Sequence, residues 1–337
     1  MKFQKLILLL LASLLTNSAL AYRESFIAFE VRTGHVLESH QVDRKVYPAS
    51  LTKLMTAFII LKNHTDLNQT VKISKNAWGH RFSNSSRMFL EPEMNVTVDN
   101  LLKGLLVQSG NDAAIALAEF HSGTTSNFVK EMNDTASELG MKATRFANPN
   151  GRHNRNHYTT ANDFMILVSA ILHQTPHIKS YTMLRDYTFN DIIQWNRNRT
   201  LKLEDSIGLK TGFTPQSGFN LAACYTVNQG IFCTIEFGAR SIKERKTRSI
   251  EKYRGIFKSK QVYALEIQDE LISEDGFIFE LQLNPTYVLD EQGKELKAYL
   301  IRDKHTNGAS SAVDIEFKVG DTLYKRKGKL IRYNQTD

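Results

Sequence analysis

Apolar positions along this chain fall into a few long runs and, late in the sequence, into short alternating ones. The run Leu54–Leu61 follows Tyr47-Pro48-Ala49-Ser50-Leu51-Thr52-Lys53. It predicts a buried helix whose first turn is preset by Pro48, since proline's fixed φ suits that position. One charge, Lys53, stands inside it. Leu101–Gln108 and Asp112–Glu119 are two further helical stretches, joined by the polar turn Ser109-Gly110-Asn111. Ile207–Phe213 reads as a strand carrying small residues where another backbone must come close, and Ile242–Phe257 predicts one more helix. From Gln261 onward the character changes. Runs such as Phe277–Leu283 and Tyr299–Ile301, separated by turn signals at Asp275-Gly276, Gln292-Gly293, Asn307-Gly308 and Gly320-Asp321, predict a small β-rich domain.

The first residues belong to a different class of segment. Lysines at 2 and 5, an apolar run from Leu6 to Leu15 and the small-x-small triplet Ala19-Leu20-Ala21 predict a signal peptide cleaved after Ala21. The apolar core is shorter than the roughly 20 residues a spanning helix needs. The expected organisation is therefore a signal peptide over 1–21, a catalytic domain over 22–260 and a β-rich domain over 261–337, in a protein exported to the periplasm. The formal charge of +8 falls to +6 when Lys2 and Lys5 are removed. That charge suits an anionic wall polymer or a membrane surface. The basic residues are scattered and form no basic helix, so nucleic acid is not expected as a partner.

The candidate chemistry lies in three strings in fixed order: Ser50-Leu51-Thr52-Lys53, Ser109-Gly110-Asn111 and Lys210-Thr211-Gly212. Singly each is weak, for Ser249-Ile250-Glu251-Lys252 and Ser74-Lys75-Asn76 repeat two of the patterns by chance. Together they describe an acylating serine hydrolase with lysine as its base. Lys53 lies one helical turn beyond Ser50, on the same face. A lysine amine titrates near 10.4, so it serves as a base only where burial or a neighbouring cation lowers that value. Lys210 is the expected neighbour, remaining a cation toward an anionic substrate while Lys53 is neutral. Ser109 is expected to relay a proton between the two lysines and the leaving amine, and Asn111 to offer its amide to a peptide carbonyl. Thr211 would hydrogen-bond a substrate carboxylate, and Gly212 would leave room for a peptide adding as an extra strand.

On these motifs, and on Pro48–Met55, Ser86–Pro92, Val107–Ala118, Thr160-Ala161-Asn162-Asp163 and Gly208–Ala223, the chain resembles the serine-type D-alanyl-D-alanine carboxypeptidases, low-molecular-mass penicillin-binding proteins. The resemblance covers about residues 25–260. It implies an α/β (α+β) fold: a β-lactamase/transpeptidase-like domain of helices packed on an antiparallel sheet, then the small β-rich domain. It also implies Ser50 as acyl-enzyme nucleophile, Lys53 as general base and a peptidoglycan stem peptide ending in D-Ala-D-Ala as substrate. The oxyanion hole would come from the backbone amides of Ser50 and of Phe213 or Thr214. β-Lactam antibiotics such as penicillins would acylate the same serine. Arg197 and Arg245 lie where this family has arginines, whose forked donors suit the free carboxylate of a chain end.

Three other readings remain: a D,D-endopeptidase with the same machinery, a β-lactamase, and a non-catalytic penicillin sensor. The β-lactamase would favour Ser-Asp-Asn as second motif and need a placed glutamate, for which Glu91 and Glu119 are candidates. The sensor has no need of a nucleophile and two tuned amines. No cofactor and no metal are expected. His153 and His157 have the i,i+4 spacing of a zinc pair, but their neighbours are Asn, Arg and Gly, and a solvated loop is the expectation. In some relatives the C-terminal β-domain carries an amphipathic membrane helix. Here 325–337 is basic without an apolar face, which leaves a soluble periplasmic protein or a weak peripheral contact with the cytoplasmic membrane.

Two cysteines complete the inventory. A two-residue loop at Asn228-Gln229 would set Cys224 opposite Cys233, whereas a three-residue loop ending in Gly230 would shift the register by one. Free, buried thiols are expected, because cross-strand disulfides are strained.

Overall fold

The computed structural model describes residues 24–32, 34–227 and 230–258, with strand segments between 261 and 333 as backbone. The signal-peptide expectation over 1–21 and the loop Asn228-Gln229 lie outside the described residues. Two compact units divide the chain, one of 1–226 with 231–253, the other of 227–230 with 254–337.

In chain order the first unit contains β1 (Ser25–Glu30), β2 (Val36–His40), α1 (Lys53–Asn63), β3 (Thr70–Lys72), β4 (Asn95–Thr97), α2 (Val98–Lys103), α3 (Asn111–Ser122), α4 (Thr125–Glu138) and α5 (Ala161–Gln174). It continues through β5 (Asp186–Phe189), β6 (Ile192–Trp195), β7 (Ser206–Thr214), β8 (Gly218–Val227), β9 (Gly230–Ala239) and α6 (Ile242–Lys252). The main sheet has five strands in the order β2-β1-β9-β8-β7, with β1 antiparallel to β2 and β9, and β7 antiparallel to β8. Its order ends on β7, whose outer edge is left for another strand. α1 is buried on every side, Leu54, Met55, Ala57, Phe58 and Ile60 all at 0% exposure, as an all-round apolar helix requires.

The two faces of β9 separate by alternation. Phe237 meets Phe164 of α5 edge-on at 5.7 Å, while Thr234 points the other way and lies 3.2 Å from Ser249 of α6, which also bonds Tyr225 of β8 at 2.7 Å. Helices therefore cover both faces of the sheet. Threonine and serine side chains open the helices by accepting backbone N–H groups: Thr97 for α2, Thr124 for α4, Thr160 for α5 and Ser241 for α6, the usual capping chemistry.

Cys224 and Cys233 form a disulfide across β8 and β9, their Cα atoms 4.1 Å apart, which corrects the expectation of free thiols. The strands stand in the register that places 224 opposite 233. Both side chains are wholly buried.

Glu236, also on β9, is 2% exposed, and neither carboxylate oxygen has a hydrogen-bond partner. Burial pushes it up to about 8, although Arg248, Lys252 and Arg245 oppose the shift. A folded pKa above the unfolded one means that the folded state keeps a proton the unfolded state releases, so this group's contribution is full below about 4.5 and is lost as pH rises through 8. Glu236→Gln is expected to match the parent in urea unfolding near pH 4.5 and to exceed it by about 4 kcal/mol at pH 8.

In the second unit, β10 (Gln261–Ala264), β11 (Glu270–Ile272), β12 (Ile278–Gln282), β13 (Tyr287–Asp290), β14 (Leu296–Leu300), β15 (Ser310–Val319) and β16 (Thr322–Tyr333) follow in order. They form a five-stranded sheet, β11-β12-β16-β15-β14, and a two-stranded one, β10-β13. The basic run from Lys325 to Arg332 lies in β16.

Candidate active site

Ser50 sits in a 3₁₀ turn, Ala49–Thr52, that feeds directly into α1, so its hydroxyl lies at the positive end of that helix. Lys53, the first residue of α1, is 0% exposed. Its Nζ lies 3.0 Å from Ser50 Oγ, 2.8 Å from Asn111 Oδ1 and 2.6 Å from the carbonyl oxygen of Asn150. The orientation of Asn111 is fixed from its other end, where Nδ2 donates to Ser85 Oγ at 2.9 Å. Asn111 therefore serves Lys53 through its oxygen, and one of its two amide N–H groups is held by Ser85, which leaves the second for a peptide carbonyl. Next to it, the buried carboxylate of Asp112 accepts the N–H groups of Met88 and Leu90 and so fastens the 86–90 loop at the head of α3.

The amines are tuned mainly by desolvation. Burial lowers Lys53 to about 7, Asp112 opposing and Arg197 assisting. Burial also lowers Lys210, 2% exposed on β7, well below its ordinary value, and Lys53, Arg197 and Arg245 lower it further. Desolvation is thus the first cause for both amines, and the expected mutual disfavour of the two charges acts beside it, Lys53 lowering Lys210, with Arg197 lowering both. Two amines in one dry pocket disfavour each other's charge.

Above these amines opens a cleft of about 1040 Å³, lined by Ser50, Ser109, Asn111, Thr211, Gly212, Arg197 and Arg245 among others. Residues of all three motifs and both arginines therefore line one cleft, and the two lysines reach lining residues, Lys53 at Ser50 and Asn111 and Lys210 at the Thr211 carbonyl. Ser109, left-handed at φ +68°, caps the π-turn Gly104–Gln108; its hydroxyl bonds neither lysine. Arg245 is 6% exposed, donates to the Asn220 carbonyl at 3.4 Å and is lowered by burial to about 10, so it stays a cation at neutral pH. Arg197 is exposed, and among the described residues its guanidinium has no hydrogen-bond or ion-pair partner. Among the described residues no carboxylate lines the cleft. Glu119 is held by Ser74 and Asn76 and Glu91 is exposed, so neither is placed as a hydrolytic glutamate.

Backbone contacts supply what the motifs do not. A Cβ on Gly212 would lie 3.0 Å from the Pro48 carbonyl and 3.2 Å from Ser50 N, so β7 runs close against the nucleophile turn. Asn220 of β8 donates to the carbonyls of Tyr47 and Pro48 and accepts from Gly238 N–H, tying that turn to the sheet. The loop 147–157 brings in the Asn150 carbonyl. His157 of this loop is 2% exposed, which corrects the solvated-loop reading at that position; His153 is exposed and stacks edge-on with Tyr47. The chance motifs are elsewhere: Ser249 bonds Tyr225, and Lys252 pairs with Glu38.

A helix-covered antiparallel sheet with a serine-lysine pair at the head of a buried helix defines the β-lactamase/transpeptidase-like class. The structure superposes on that of penicillin binding protein 5 from Haemophilus influenzae with a TM-score of 0.81 at 29% identity, over 94% of this chain and 97% of the other. The family model described as D-alanyl-D-alanine carboxypeptidase, peptidase S11, matches residues 16–241, and the chain belongs to that family. The D-alanyl-D-alanine carboxypeptidase DacA of Haemophilus influenzae is 36% identical over 236 residues, 67% of this chain and 59% of the relative. The chain thus spans about three fifths of that curated relative's length. A D-alanyl-D-alanine endopeptidase from the same organism is 30% identical over 218 residues, 63% of this chain and 73% of the relative.

Proposed function

We propose that this protein is a serine-type D-alanyl-D-alanine carboxypeptidase that removes the terminal D-alanine of peptidoglycan stem pentapeptides and is acylated by β-lactams. The observation that carries the reading is the coordination of Lys53 Nζ. Two of its three neighbours, Asn111 Oδ1 and the Asn150 carbonyl, can only accept, and a neutral amine has two N–H groups and one lone pair. With both N–H groups committed, the lone pair falls to Ser50 Oγ, which makes Lys53 a base aimed at one hydroxyl.

In this reading the Ser50 oxygen attacks the carbonyl of the penultimate D-alanine while Lys53 takes its proton. The Ser50 N–H and the N–H of Phe213 hold the oxyanion, since the Thr214 N–H donates to Ser217 Oγ at 2.9 Å, and the departing D-alanine amine is reprotonated from the Lys53 side. Water then hydrolyses the ester. The substrate peptide would add along the open edge of β7, its terminal carboxylate meeting Thr211, Lys210, Arg197 and Arg245. Ser109, which lines the same cleft, would pass the proton toward the leaving amine once substrate is bound. Catalysis would rest in residues 22–260, after export to the periplasm and loss of 1–21. Among the described residues no helix is long and apolar enough to cross a membrane, which suits a protein at most loosely held at the cytoplasmic membrane.

The similarity to an endopeptidase supports a second reading, cleavage of D,D cross-links by the same pair. Free D-alanine released from a defined pentapeptide, with a cross-linked muropeptide dimer in parallel, separates the two. Release from the pentapeptide alone is expected. Cleavage of the dimer alone would replace the first reading with the second.

A further inference from the structure

The residue before the nucleophile is an alanine in the left-handed region, φ +50°, a conformation an L side chain keeps only where its surroundings over-determine it. Ala49 is 2% exposed. Its carbonyl oxygen accepts a hydrogen bond from Thr52 Oγ1 at 2.7 Å. Thr52 Oγ1 in turn lies 2.8 Å from His157 Nε2, and the Ala147 N–H donates to His157 Nδ1 at 3.2 Å. The chemistry fixes the direction of this chain. Because a backbone N–H occupies Nδ1, that nitrogen holds the lone pair and Nε2 the proton. Nε2–H then donates to Thr52, whose single hydroxyl proton passes on to Ala49. Burial, with His153 and Lys53 adding, lowers His157 to about 4, so the neutral ring that this direction requires is the form present at neutral pH.

We propose that His157 and Thr52 are positioning residues that hold the Ala49 carbonyl, and through it the turn that presents both the N–H and the hydroxyl of Ser50 to the cleft. The inference rests on the acyl-serine reading above. Its link is the peptide plane: in a trans peptide the C=O and the following N–H point opposite ways, and no cis peptide occurs among the described residues. Fixing the Ala49 oxygen on the Thr52 side turns the Ser50 N–H to the other side, where β7 passes with Gly212. That N–H has no partner among the described residues, as an oxyanion donor must. From the loop side Gly151, at φ +80°, rests on the same peptide, since a Cβ there would lie 1.9 Å from the Ala49 oxygen and 3.0 Å from Ser50 N. His157 thus closes the base of the loop whose tip presses on the Ala49–Ser50 peptide and whose Asn150 carbonyl holds Lys53. The ring, packed edge-on against Phe146 at 5.7 Å, does not line the cleft.

The test is the acylation step with benzylpenicillin, resolved into a noncovalent constant and a first-order rate and measured on protein titrated for active sites. Thr52→Val keeps the shape of Thr52 and removes its hydroxyl. It is expected to slow the first-order step about 10- to 100-fold, short of the ~10²–10³ that outright loss of an oxyanion donor costs, with the noncovalent constant nearly unchanged. Thr52→Ser is expected to restore the rate. His157→Gln, which keeps one donor, is expected to retain more of the rate than His157→Phe. The pair Thr52→Val/His157→Phe should be no slower than the slower single variant, because the two act as one chain. A merely structural role would lower Tm and the titratable fraction but leave the first-order rate of the remaining sites untouched. That result, or a Thr52→Val rate within twofold of the parent, would overturn the inference while the parent's labelling left the acyl-serine reading standing. A parent that takes no label at all would overturn both.

Discussion

Ser50→Ala is expected to lose D-alanine release and covalent penicillin labelling together, with Tm essentially unchanged. The hydroxyl's one side-chain contact is Lys53 at 3.0 Å, and Ser50 is part-exposed, so truncation removes no packing and leaves no buried group stranded. Its chemical consequence is total, because no other nucleophile lies beside Lys53: Ser109 bonds neither amine, and both thiols are locked in the Cys224–Cys233 disulfide. Noncovalent binding of the peptide should persist through Thr211 and the arginines. Residual turnover, if the oxyanion donors polarise the carbonyl toward water, should fall in the range of about 10³–10⁴ over the uncatalysed reaction that such donors supply alone. Mass spectrometry of the protein after incubation with benzylpenicillin checks the labelling directly. An adduct of normal yield on the Ser50→Ala protein would remove Ser50 from the mechanism.

The site was legible where side chains carry it and illegible where the backbone does. Ser50, Lys53, Ser109, Asn111, Lys210 and Thr211 announce themselves by residue type and order, and the fold brings them to one cleft. The Asn150 carbonyl, 2.6 Å from Lys53, has no signature, since any residue offers a carbonyl and only the path of the 147–157 loop puts this one there. The residue type of Asn111 is legible, but its orientation is not: which end of the amide faces Lys53 depends on Ser85, twenty-six positions away.

His157 was misread because its sequence neighbours, Asn154, Arg155 and Asn156, are exposed, and a buried polar residue at the end of a solvated loop breaks no visible periodicity. Ala49 is the reverse case. A left-handed residue is looked for at glycine or asparagine, and nothing marks an alanine held there by tertiary contacts. The cysteines show a third limit. The sequence is compatible with two registers for β8 and β9, and alternation alone does not choose between them; the Cys224–Cys233 bridge marks the one that forms.

Lys53→Ala is expected to fold and to acylate about 10²–10⁴-fold more slowly, the share a positioned general base contributes. Folding survives because two effects oppose. The Asn111 Oδ1 and Asn150 carbonyl acceptors lose their donor, which costs about 1–3 kcal/mol each when buried. Against this, the parent holds at neutral pH an amine whose pKa burial has lowered from 10.5 to about 7, and a folded pKa below the unfolded one is a cost that the alanine no longer carries. The same shift fixes the sign of the pH profile. Below about 7 the folded amine is protonated and has no lone pair for Ser50; as pH rises through that value the base form appears and the acylation rate should climb to a plateau. Arg197 is one of the causes that hold the value down, so Arg197→Gln is expected to move the acid limb of the profile to higher pH, by an amount a stopped-flow series from pH 5 to 9 can read. A Lys53→Ala protein with the parent's rate, or a parent profile flat through pH 7, would show that the proton leaves Ser50 by another route.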